Sequence, residues 1–329
     1  MVNGKNMIFK RIKDLKGDAS HRKFFRKYYD KNFTTILVEA KKEKFKNLEM
    51  YMAINEFLLK NKIKTPRLIS KNLKKNFIEI EDFGNISYDK IIKKKSSKIG
   101  TYKKLVNLLI NIQKIKTKKK ILFKGKKYFL KIYTIKELNK ESDLFFNWYL
   151  PLILKKKNSI ELKKFIKKKL NNLYKKIKLK NNVFTHRDFH ASNLMKVKEK
   201  IGVIDTQDAL LGNPSYDLVS LIDDVRVKTS SKEKKQIFDY YFKKCFSSLK
   251  KNKESFIHDF KIIAVQRNLK IIGIFARLFK RDKKEKYLKL IPYTWKLLDL
   301  RLKDPMFEDI KNKLDENITF QMKKKVKIL

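Results

Sequence analysis

The chain has a single cysteine, Cys245, among its 329 residues. An intrachain disulfide is therefore excluded, and so is a zinc site built from cysteines. Long apolar runs are missing as well: the longest, residues 144–154, is interrupted by Asn147 and Pro151 and is too short to span a bilayer. Residues 1–10 lack the apolar core of a signal peptide. These absences predict a soluble cytoplasmic protein with no membrane partner.

Acidic residues and arginines are both scarce beside lysine. The 34 Asp and Glu residues stand against 84 Lys and Arg, and the formal net charge is +50. Only ten of the basic residues are Arg, which leaves 74 Lys spread along the chain. Nucleic-acid sites favour clustered Arg, whose planar guanidinium binds phosphates and base edges. The sequence has no such cluster, so it predicts weak, salt-sensitive polyanion binding and no specific nucleic-acid partner.

The most informative segment spans residues 185–205. It contains Asp188, then Asn193 five residues later, and an apolar run that ends at Asp205. The interval from Asp188 to Asn193 is that of the kinase catalytic loop, H-R-D followed by four residues and Asn. In phosphoryl transfer, one Asp accepts the proton of the acceptor hydroxyl, and an Asn and a second Asp hold the metal. We therefore predict Asp188 as the base and Asn193 and Asp205 as ligands of Mg²⁺, which prefers oxygen donors.

The apolar periodicity divides the chain into a small β-rich region and a long helical one. Residues 24–40 fit two strands, residues 48–59 have a helical spacing, and residues 77–81 alternate as a strand. From Tyr88 onward the pattern is almost wholly helical, apart from residues 183–205. We predict an α+β, two-lobed, protein-kinase-like fold. Residues 1–82 would form the nucleotide-binding lobe, and residues 83–329 a helical lobe with the catalytic loop and the acceptor pocket.

A loop over phosphates needs small residues, because backbone N–H groups must approach the anion. Gly17, Ala19 and Ser20 meet this need, although a single Gly also fits an ordinary hairpin turn. Most kinases place a phosphate-binding Lys on the next strand, where this chain has Glu39. The phosphates would then be held by a nearby lysine or by the loop and the metal alone. Adenine is expected where the predicted lobes join, at the backbone of Ile80, Glu81 and Asp82.

Over nearly its whole length the chain resembles the aminoglycoside-phosphotransferase-like kinases. Within them it is most similar to the anomeric N-acetylmuramate/N-acetylglucosamine kinases of cell-wall recycling. Beyond the catalytic loop, the resemblance is carried by Asp205-Thr-Gln-Asp208-Ala, Gln266-Arg-Asn-Leu-Lys270 and Leu144-Phe-Phe-Asn-Trp148-Tyr. It implies ATP as co-substrate, Mg²⁺ as cofactor, and an amino sugar as acceptor, converted to its 1-phosphate. An Asp is common in that family at the Glu39 position.

Several residues near the loop have two readings. His186 is expected to anchor the loop by hydrogen bonds, and the resemblance makes Asp217 a brace for the same loop. Asp208 either faces the substrate or is structural, and His190 either contacts substrate or faces solvent. Trp148 and Tyr149 would provide a stacking surface for a sugar ring unless they belong to the core, which is the commoner place for aromatic residues.

A polar stripe runs along the helix predicted around residues 264–279. Gln266, Lys270, Gly273 and Arg277 follow at intervals of four, three and four. A solvated face is the usual explanation of such a stripe. Gly inside a helix costs about 1 kcal/mol against Ala, which suggests that something approaches the helix closely at Gly273. Because such helices line the acceptor pocket in a kinase of this layout, we predict substrate binding by Gln266, Lys270 and Arg277, together with Asp208 and Trp148.

Three functions remain open at this point. The first is a sugar 1-kinase acting on N-acetylmuramate, N-acetylglucosamine or both. The second is a related kinase of another small-molecule hydroxyl, in an aminoglycoside, an amino alcohol or another sugar. The third is an inactive relative that binds polyanions. A basic helical lobe disfavours a polycationic aminoglycoside, and the presence of Asp188, Asn193 and Asp205 disfavours an inactive protein.

Overall fold

The computed structural model describes residues 9–15, 22–31, 33–41 and 45–324, without the side chains of residues 45 and 46. Gly17, Ala19 and Ser20, predicted to bind phosphates, lie outside this part of the chain. Within it the strands are β1 Arg11–Leu15, β2 Lys23–Tyr28, β3 Thr34–Glu39, β4 Leu68–Asn72, β5 Phe77–Glu81, β6 Lys120–Phe123, β7 Lys126–Phe129, β8 Val183–Thr185, β9 Leu194–Val197, β10 Lys200–Val203 and β11 Leu210–Gly212. The α-helices are α1 Phe45–Lys60, α2 Tyr88–Lys93, α3 Ile99–Gln113, α4 Ile135–Leu144, α5 Leu150–Ile153, α6 Lys156–Lys175, α7 Ser215–Ile222, α8 Ser231–Lys244, α9 Ser247–Lys251, α10 Lys253–Asp282, α11 Ile291–Arg301, α12 Glu308–Asn317 and α13 Phe320–Lys324.

The chain forms two compact units. The first is drawn from residues 1–91, 118–130 and 192–209. Its main element is an antiparallel sheet in the order β1-β2-β3-β5-β4. The predicted strand pair at 24–40, the helix at 48–59 and the strand at 77–81 are confirmed as β2–β3, α1 and β5. Ile78 and Ile80 are buried in the middle of this sheet, between β3 and β4.

The boundaries of the first unit differ from the predicted division after residue 82, because two later hairpins belong to it. One of them, β6–β7, is absent from the sequence prediction. Its two-residue turn places Lys124 at φ 46° and Gly125 at φ 75°, the left-handed pair of a tight hairpin turn. The first turn position holds Lys instead of the usual Asn, so the sequence lacks the Asn-Gly pair that would have predicted this hairpin. The hairpin contacts α1, where Lys126 lies 3.4 Å from Glu49.

The second unit is drawn from residues 92–117, 131–191 and 210–329 and is largely helical, as expected. Its longest element is α10, which contacts α4, α7 and α11 and is buried along most of its length. The short strand β8 leads into the catalytic loop and pairs antiparallel with β11, a strand that periodicity did not predict. Within the described ranges, no helix has the length and apolar character needed to cross a membrane.

Gly273 of α10 is where another backbone approaches most closely. A Cβ built on it would lie 2.2 Å from the carbonyl carbon of Leu144 and 2.3 Å from the nitrogen of Phe145. Residues 145–149 form a π-helical turn that packs on α10 at this point. The close approach expected from the sequence is therefore confirmed, and its cause is the backbone of a neighbouring helix.

Gly273→Ala is expected to destabilise the protein, although Ala is the better helix former by about 1 kcal/mol. The added methyl would overlap backbone atoms that cannot rotate away, and overpacking of this kind costs about 1–3 kcal/mol. Gly100→Ala in α3 is the matched control, because its Cβ would meet no atom within 4 Å. Urea denaturation compares the two variants. Equal stability would contradict the tight contact at Gly273.

Candidate active site

Asn193 and Asp205, the predicted metal ligands, flank the open end of the β9–β10 hairpin. Leu194 pairs with Val203, and the N–H of Ile204 donates to the carbonyl oxygen of Asn193 over 3.1 Å. The ladder thus continues past the ends of the strands and brings the two backbones together. An amide oxygen and a carboxylate at one hairpin end form an oxygen donor set that suits a hard cation.

The chain turns sharply at Asp205. Its φ of 64° lies in the left-handed region, which Asp enters more readily than most residues. The amide of Gln207 donates to the Asp205 carboxylate over 2.7 Å, and the hydroxyl of Thr206 donates to Asn55 of α1 over 2.6 Å. These bonds fix the short 3-10 segment that follows, while Asp208 at its end is exposed.

The end of β5, where adenine is expected, has its side chains engaged. The Glu81 carboxylate accepts from Lys64 over 2.6 Å, and Asp82 pairs with Arg26 and accepts from Thr34 over 2.8 Å. The N–H of Glu81 donates to the carbonyl oxygen of Arg67. Adenine binding at Ile80, Glu81 and Asp82 stays a prediction. The N–H of Glu81 already donates to Arg67 and is therefore not available to adenine.

Arg22 is a buried cation of the first unit that the sequence did not single out for a role. Its guanidinium lies over the ring of Tyr51, 5.8 Å from the centroid. Burial raises the pKa of Tyr51 to about 12, the charge of Arg22 opposes this rise and the charge of Asp205 adds to it. The charges of Arg22 and Asp205 therefore both influence the pKa of this ring, in opposite directions. Glu39, in the usual place of the kinase lysine, is 3.8 Å from Lys41.

The catalytic loop of the second unit is held by Asp217. This fully buried carboxylate of α7 accepts the backbone N–H groups of His186 and Arg187 over 2.7 and 3.0 Å. Burial raises the pKa of Asp217 to about 6. The N–H of Asp188 in turn donates to Nδ1 of His186 over 3.3 Å. Both residues predicted to be structural thus contact the backbone just before or at Asp188.

Asp188 combines access to solvent with a strongly positive setting. Its side chain is 39% exposed, and its carboxylate lies 4.0 Å from Nη2 of the buried Arg267. Burial opposes ionisation, but positive charge, chiefly that of Lys270 and also that of Arg267, holds the pKa of Asp188 well below its usual range. The carboxylate is therefore ionised at any physiological pH and lies within reach of a small molecule.

Glu141 of α4 is the centre of a buried polar cluster behind the loop. The carboxylate accepts hydrogen bonds or ion pairs from Tyr133, Arg187, Tyr216, Gln266 and Lys270, the last two over 3.0 Å each. Burial would raise the pKa of Glu141, but Lys270 and Arg187 lower it to about 2. In the sequence, Glu141 follows the apolar Leu138 by three residues, a spacing that places both on one face of a helix. In the structure that face of α4 is buried.

The predicted stripe on α10 points to this cluster. Gln266 is fully buried and Lys270 nearly so, so the solvated-face explanation is wrong. Gln266 donates a hydrogen bond to the carboxylate of Glu141, and Lys270 neutralises its charge. Substrate binding by these two residues is not tested by these contacts, and we assign them a positioning role below. Arg277, one turn beyond Gly273, is half-buried.

The adjacent face of α10 lines a cavity of about 50 Å³ beside Asp188. From α10 it is lined by Arg267, Ile271, Ile274 and Phe275, and from elsewhere by Asp188, His190, Ser220, Asp224, Val225 and Arg226. His190 is buried, so the solvent-facing alternative is wrong. Burial, assisted by the charge of Arg226, lowers the pKa of His190 well below its usual value, and the ring is neutral.

The aromatic segment after α4 divides between core and surface. Tyr149 is fully buried, so it belongs to the core and the prediction that it stacks on a sugar ring is wrong; its hydroxyl accepts a hydrogen bond from Nε1 of Trp295 over 2.8 Å. Phe145 also packs against Trp295. Trp148 is half-buried, and stacking on a sugar ring stays a prediction for it.

Comparison with solved structures identifies the fold. A Plasmodium vivax ethanolamine kinase aligns with a TM-score of 0.60 at 14% identity, over 92% of this chain and 84% of that one. The ADP-bound aminoglycoside phosphotransferase APH(2'')-Ib aligns with a TM-score of 0.58 at 16% identity, over 91% and 95%. The α+β, protein-kinase-like fold predicted from the sequence is confirmed.

Curated relatives are similar over most of the chain. The N-acetylmuramate/N-acetylglucosamine kinase of Neisseria meningitidis is 27% identical over 281 residues, which cover 84% of this chain and 80% of the relative. The kinase of the same name from Caulobacter vibrioides is 24% identical over 286 residues, which cover 84% and 77%. Residues 11–250 match the model of the APH phosphotransferase enzyme family. The chain therefore belongs to the phosphotransferase enzyme family.

Proposed function

We propose that this protein is an ATP-dependent kinase that phosphorylates the anomeric hydroxyl of N-acetylmuramate, N-acetylglucosamine or both, as part of cell-wall sugar recycling. The observation that carries the proposal is Asp188, an accessible carboxylate kept ionised by Lys270 and Arg267. A carboxylate of low pKa is a weak base. It suits a hemiacetal hydroxyl, which is more acidic than an ordinary alcohol. The shared name of the curated relatives supports the same choice of acceptor.

The second unit supplies the residues that position and deprotonate the acceptor. Asp188 would orient the hydroxyl and take its proton as the bond to phosphorus forms. Asp217 and His186 would hold the loop, since their bonds fix the backbone that precedes Asp188. Gln266 and Lys270 would position the loop indirectly. Both contact the carboxylate of Glu141, which in turn pairs with Arg187 of the loop.

The hairpin end at Asn193 and Asp205 fits Mg²⁺. Among the residues that the structure describes, no group of three or more His, Cys, Asp or Glu side chains could hold a metal. Mg²⁺ in nucleotide enzymes needs no such cage, because one or two protein oxygens combine with waters and substrate phosphates. When bound, the ion would neutralise charge on the phosphates. Arg22 is a cation of the same unit that could contribute to phosphate binding in place of the usual lysine.

Asp205→Asn is expected to weaken Mg²⁺-dependent ATP binding and turnover together, because an amide lacks the charge that a hard cation prefers. Isothermal titration with ATP at several magnesium concentrations measures the first effect, and steady-state kinetics the second. Asp239→Asn on the surface of α8 is a matched control. If magnesium concentration has no influence on the wild-type protein or on the variant, the metal assignment is wrong.

The proposed regiochemistry has a direct test with blocked sugars. The methyl glycoside of an accepted sugar should be inert, because the oxygen that receives the phosphoryl group carries a methyl group instead of a proton. The product from the free sugar should lose its reducing end and show coupling between phosphorus and the anomeric proton in NMR spectra. A 6-phosphate product, or similar turnover of the methyl glycoside, would refute anomeric phosphorylation and leave a kinase of another hydroxyl.

A further inference from the structure

We propose that Arg187 is a positioning residue of the reaction: its ion pair with Glu141 holds its own backbone in the left-handed conformation, and so fixes the place of the next residue, Asp188. Arg187 would thereby act on kcat rather than on ATP binding, because Asp188 is the proposed proton acceptor. This inference rests on the proposed function, whose failure the experiment below separates from its own.

The backbone of Arg187 is strained. Its φ is 74°, a left-handed value that brings Cβ close to the following carbonyl oxygen and that residues other than Gly, Asn and Asp rarely adopt. Four lysines of the described chain also have positive φ, Lys62, Lys124, Lys198 and Lys283, but all four are exposed. Arg187 instead directly precedes the predicted base. Such strain persists only where the surrounding structure holds it.

Arg187 is held at both its main chain and its side chain. Its N–H donates to the buried carboxylate of Asp217 over 3.0 Å, and its guanidinium donates to the carboxylate of Glu141. Because φ is the rotation about the bond between N and Cα, fixing the N–H on one side and the side chain on the other limits that rotation. The two anchors, one from α7 and one from α4, therefore keep φ at a value that an unanchored Arg would leave.

Glu141 is a firm anchor because other buried groups fix it in turn. Its side chain is 5% exposed. It accepts a hydrogen bond from Gln266 over 3.0 Å and pairs with Lys270 over the same distance. The guanidinium of Arg187 is thus tied to two helices, α4 directly and α10 through Glu141, and not to a mobile surface carboxylate.

Asp188 follows Arg187 directly, so the conformation of Arg187 decides where the carboxylate of Asp188 lies. A change of φ at Arg187 would swing the peptide group that joins the two residues and move the carboxylate with it. A misplacement of about 1 Å at a reacting group can cost roughly 100-fold in rate. Loss of the anchor should therefore appear in kcat, even in a protein that remains folded.

Arg187→Ala and Arg187→Gly separate the anchor from the strain. Both variants remove the ion pair and leave Glu141 without it, but Gly adopts positive φ without strain and Ala does not. Arg187→Ala should lower kcat by about 100-fold, as expected for a misplaced catalytic group. Arg187→Gly should keep a kcat about tenfold above that of Arg187→Ala, the factor to which left-handed strain in one residue corresponds. Isothermal titration should give ATP affinities close to that of the wild-type protein, because the predicted metal ligands are unaltered.

The order of stability provides a readout that needs no activity. Urea denaturation should find Arg187→Gly more stable than Arg187→Ala, the reverse of the usual order, in which Gly is the less stable because it loses more conformational freedom on folding. Lys283→Gly and Lys283→Ala are matched controls at an exposed left-handed residue. They should show the same order of stability and leave kcat unchanged. Arg187→Lys keeps a cation beside Glu141, and its kcat should lie between those of the wild-type protein and Arg187→Ala.

A kcat of Arg187→Ala equal to or above that of Arg187→Gly overturns the proposal, as does a fall in ATP affinity as large as the fall in kcat. If Arg187→Gly folds and Arg187→Ala does not, the proposal is supported, and the reverse result overturns it. If both fail to fold, Arg187→Lys decides: a lower kcat at unchanged ATP affinity supports the proposal, and values that are unchanged or lowered together overturn it.

The proposed function fails in a different way. A wild-type protein that phosphorylates neither sugar, or substantial turnover of Asp188→Asn, refutes the proposed function or the proposed role of Asp188, and this inference with it. Failure of the Arg187 comparison alone leaves both of them intact.

Discussion

Asp188→Asn should lower kcat by about 10²–10⁴-fold, the usual contribution of a positioned general base, while ATP affinity stays close to that of the wild-type protein. The substitution keeps the size of the side chain and removes its capacity to accept a proton. It leaves both predicted metal ligands, Asn193 and Asp205, untouched. A loss in kcat without a loss in ATP binding is therefore the signature of the role assigned to Asp188.

The pH profile adds an independent check of the same carboxylate. Since positive charge holds the pKa of Asp188 well below its usual range, kcat of the wild-type protein should not fall through protonation of this group between pH 8 and pH 5. Asp239→Asn should behave as the wild-type protein. If Asp188→Asn retains substantial turnover with intact folding, another group accepts the proton and the assignment is wrong.

The arrangement of the loop residues could be predicted because it is local. The interval between Asp188 and Asn193 and the apolar run before Asp205 are spacings along one strand and one loop, so the sequence records them directly. The close approach at Gly273 was likewise predictable from a residue that a helix would otherwise avoid. The division into units was not, because residues 192–209 leave the segment of Asp188 and join the first unit.

The polar stripe of α10 illustrates what periodicity cannot predict. It identifies residues that share a face, but not the partner of that face. Gln266 and Lys270 meet Glu141, a residue of α4 that is 125 positions away from Gln266 in sequence. The face that lines the cavity is the neighbouring one, and its apolar members Ile271 and Ile274 look like ordinary core residues. Partner choice between distant helices depends on packing, which no local pattern contains.

Glu141→Gln is expected to destabilise the protein by about 3–5 kcal/mol, because it leaves the buried charges of Lys270 and Arg187 without their carboxylate. Chemical denaturation at pH 7 measures the loss. Glu316→Gln is the matched control: Glu316 is an exposed partner of Lys313, and such pairs contribute at most about 1 kcal/mol. Glu141→Gln with Lys270→Met should recover part of the loss, since the double substitution removes one of the uncompensated charges.

The difference in stability between the wild-type protein and Glu141→Gln should decrease as the pH falls. Folding lowers the pKa of Glu141 from its ordinary value of 4.5 to about 2, so the native state favours the ionised form. Its contribution to stability is complete above pH 4.5 and is lost as the pH falls toward 2. Asp217 acts in the opposite direction, because its folded pKa of about 6 exceeds the ordinary 3.8, and its contribution is lost as the pH rises through 6. The gap between wild-type protein and Glu141→Gln should therefore narrow as the pH falls from 5 to 2. A gap that stays constant over this range would mean that Glu141 is not ionised in the native protein, and that Lys270 and Arg187 are held by something else.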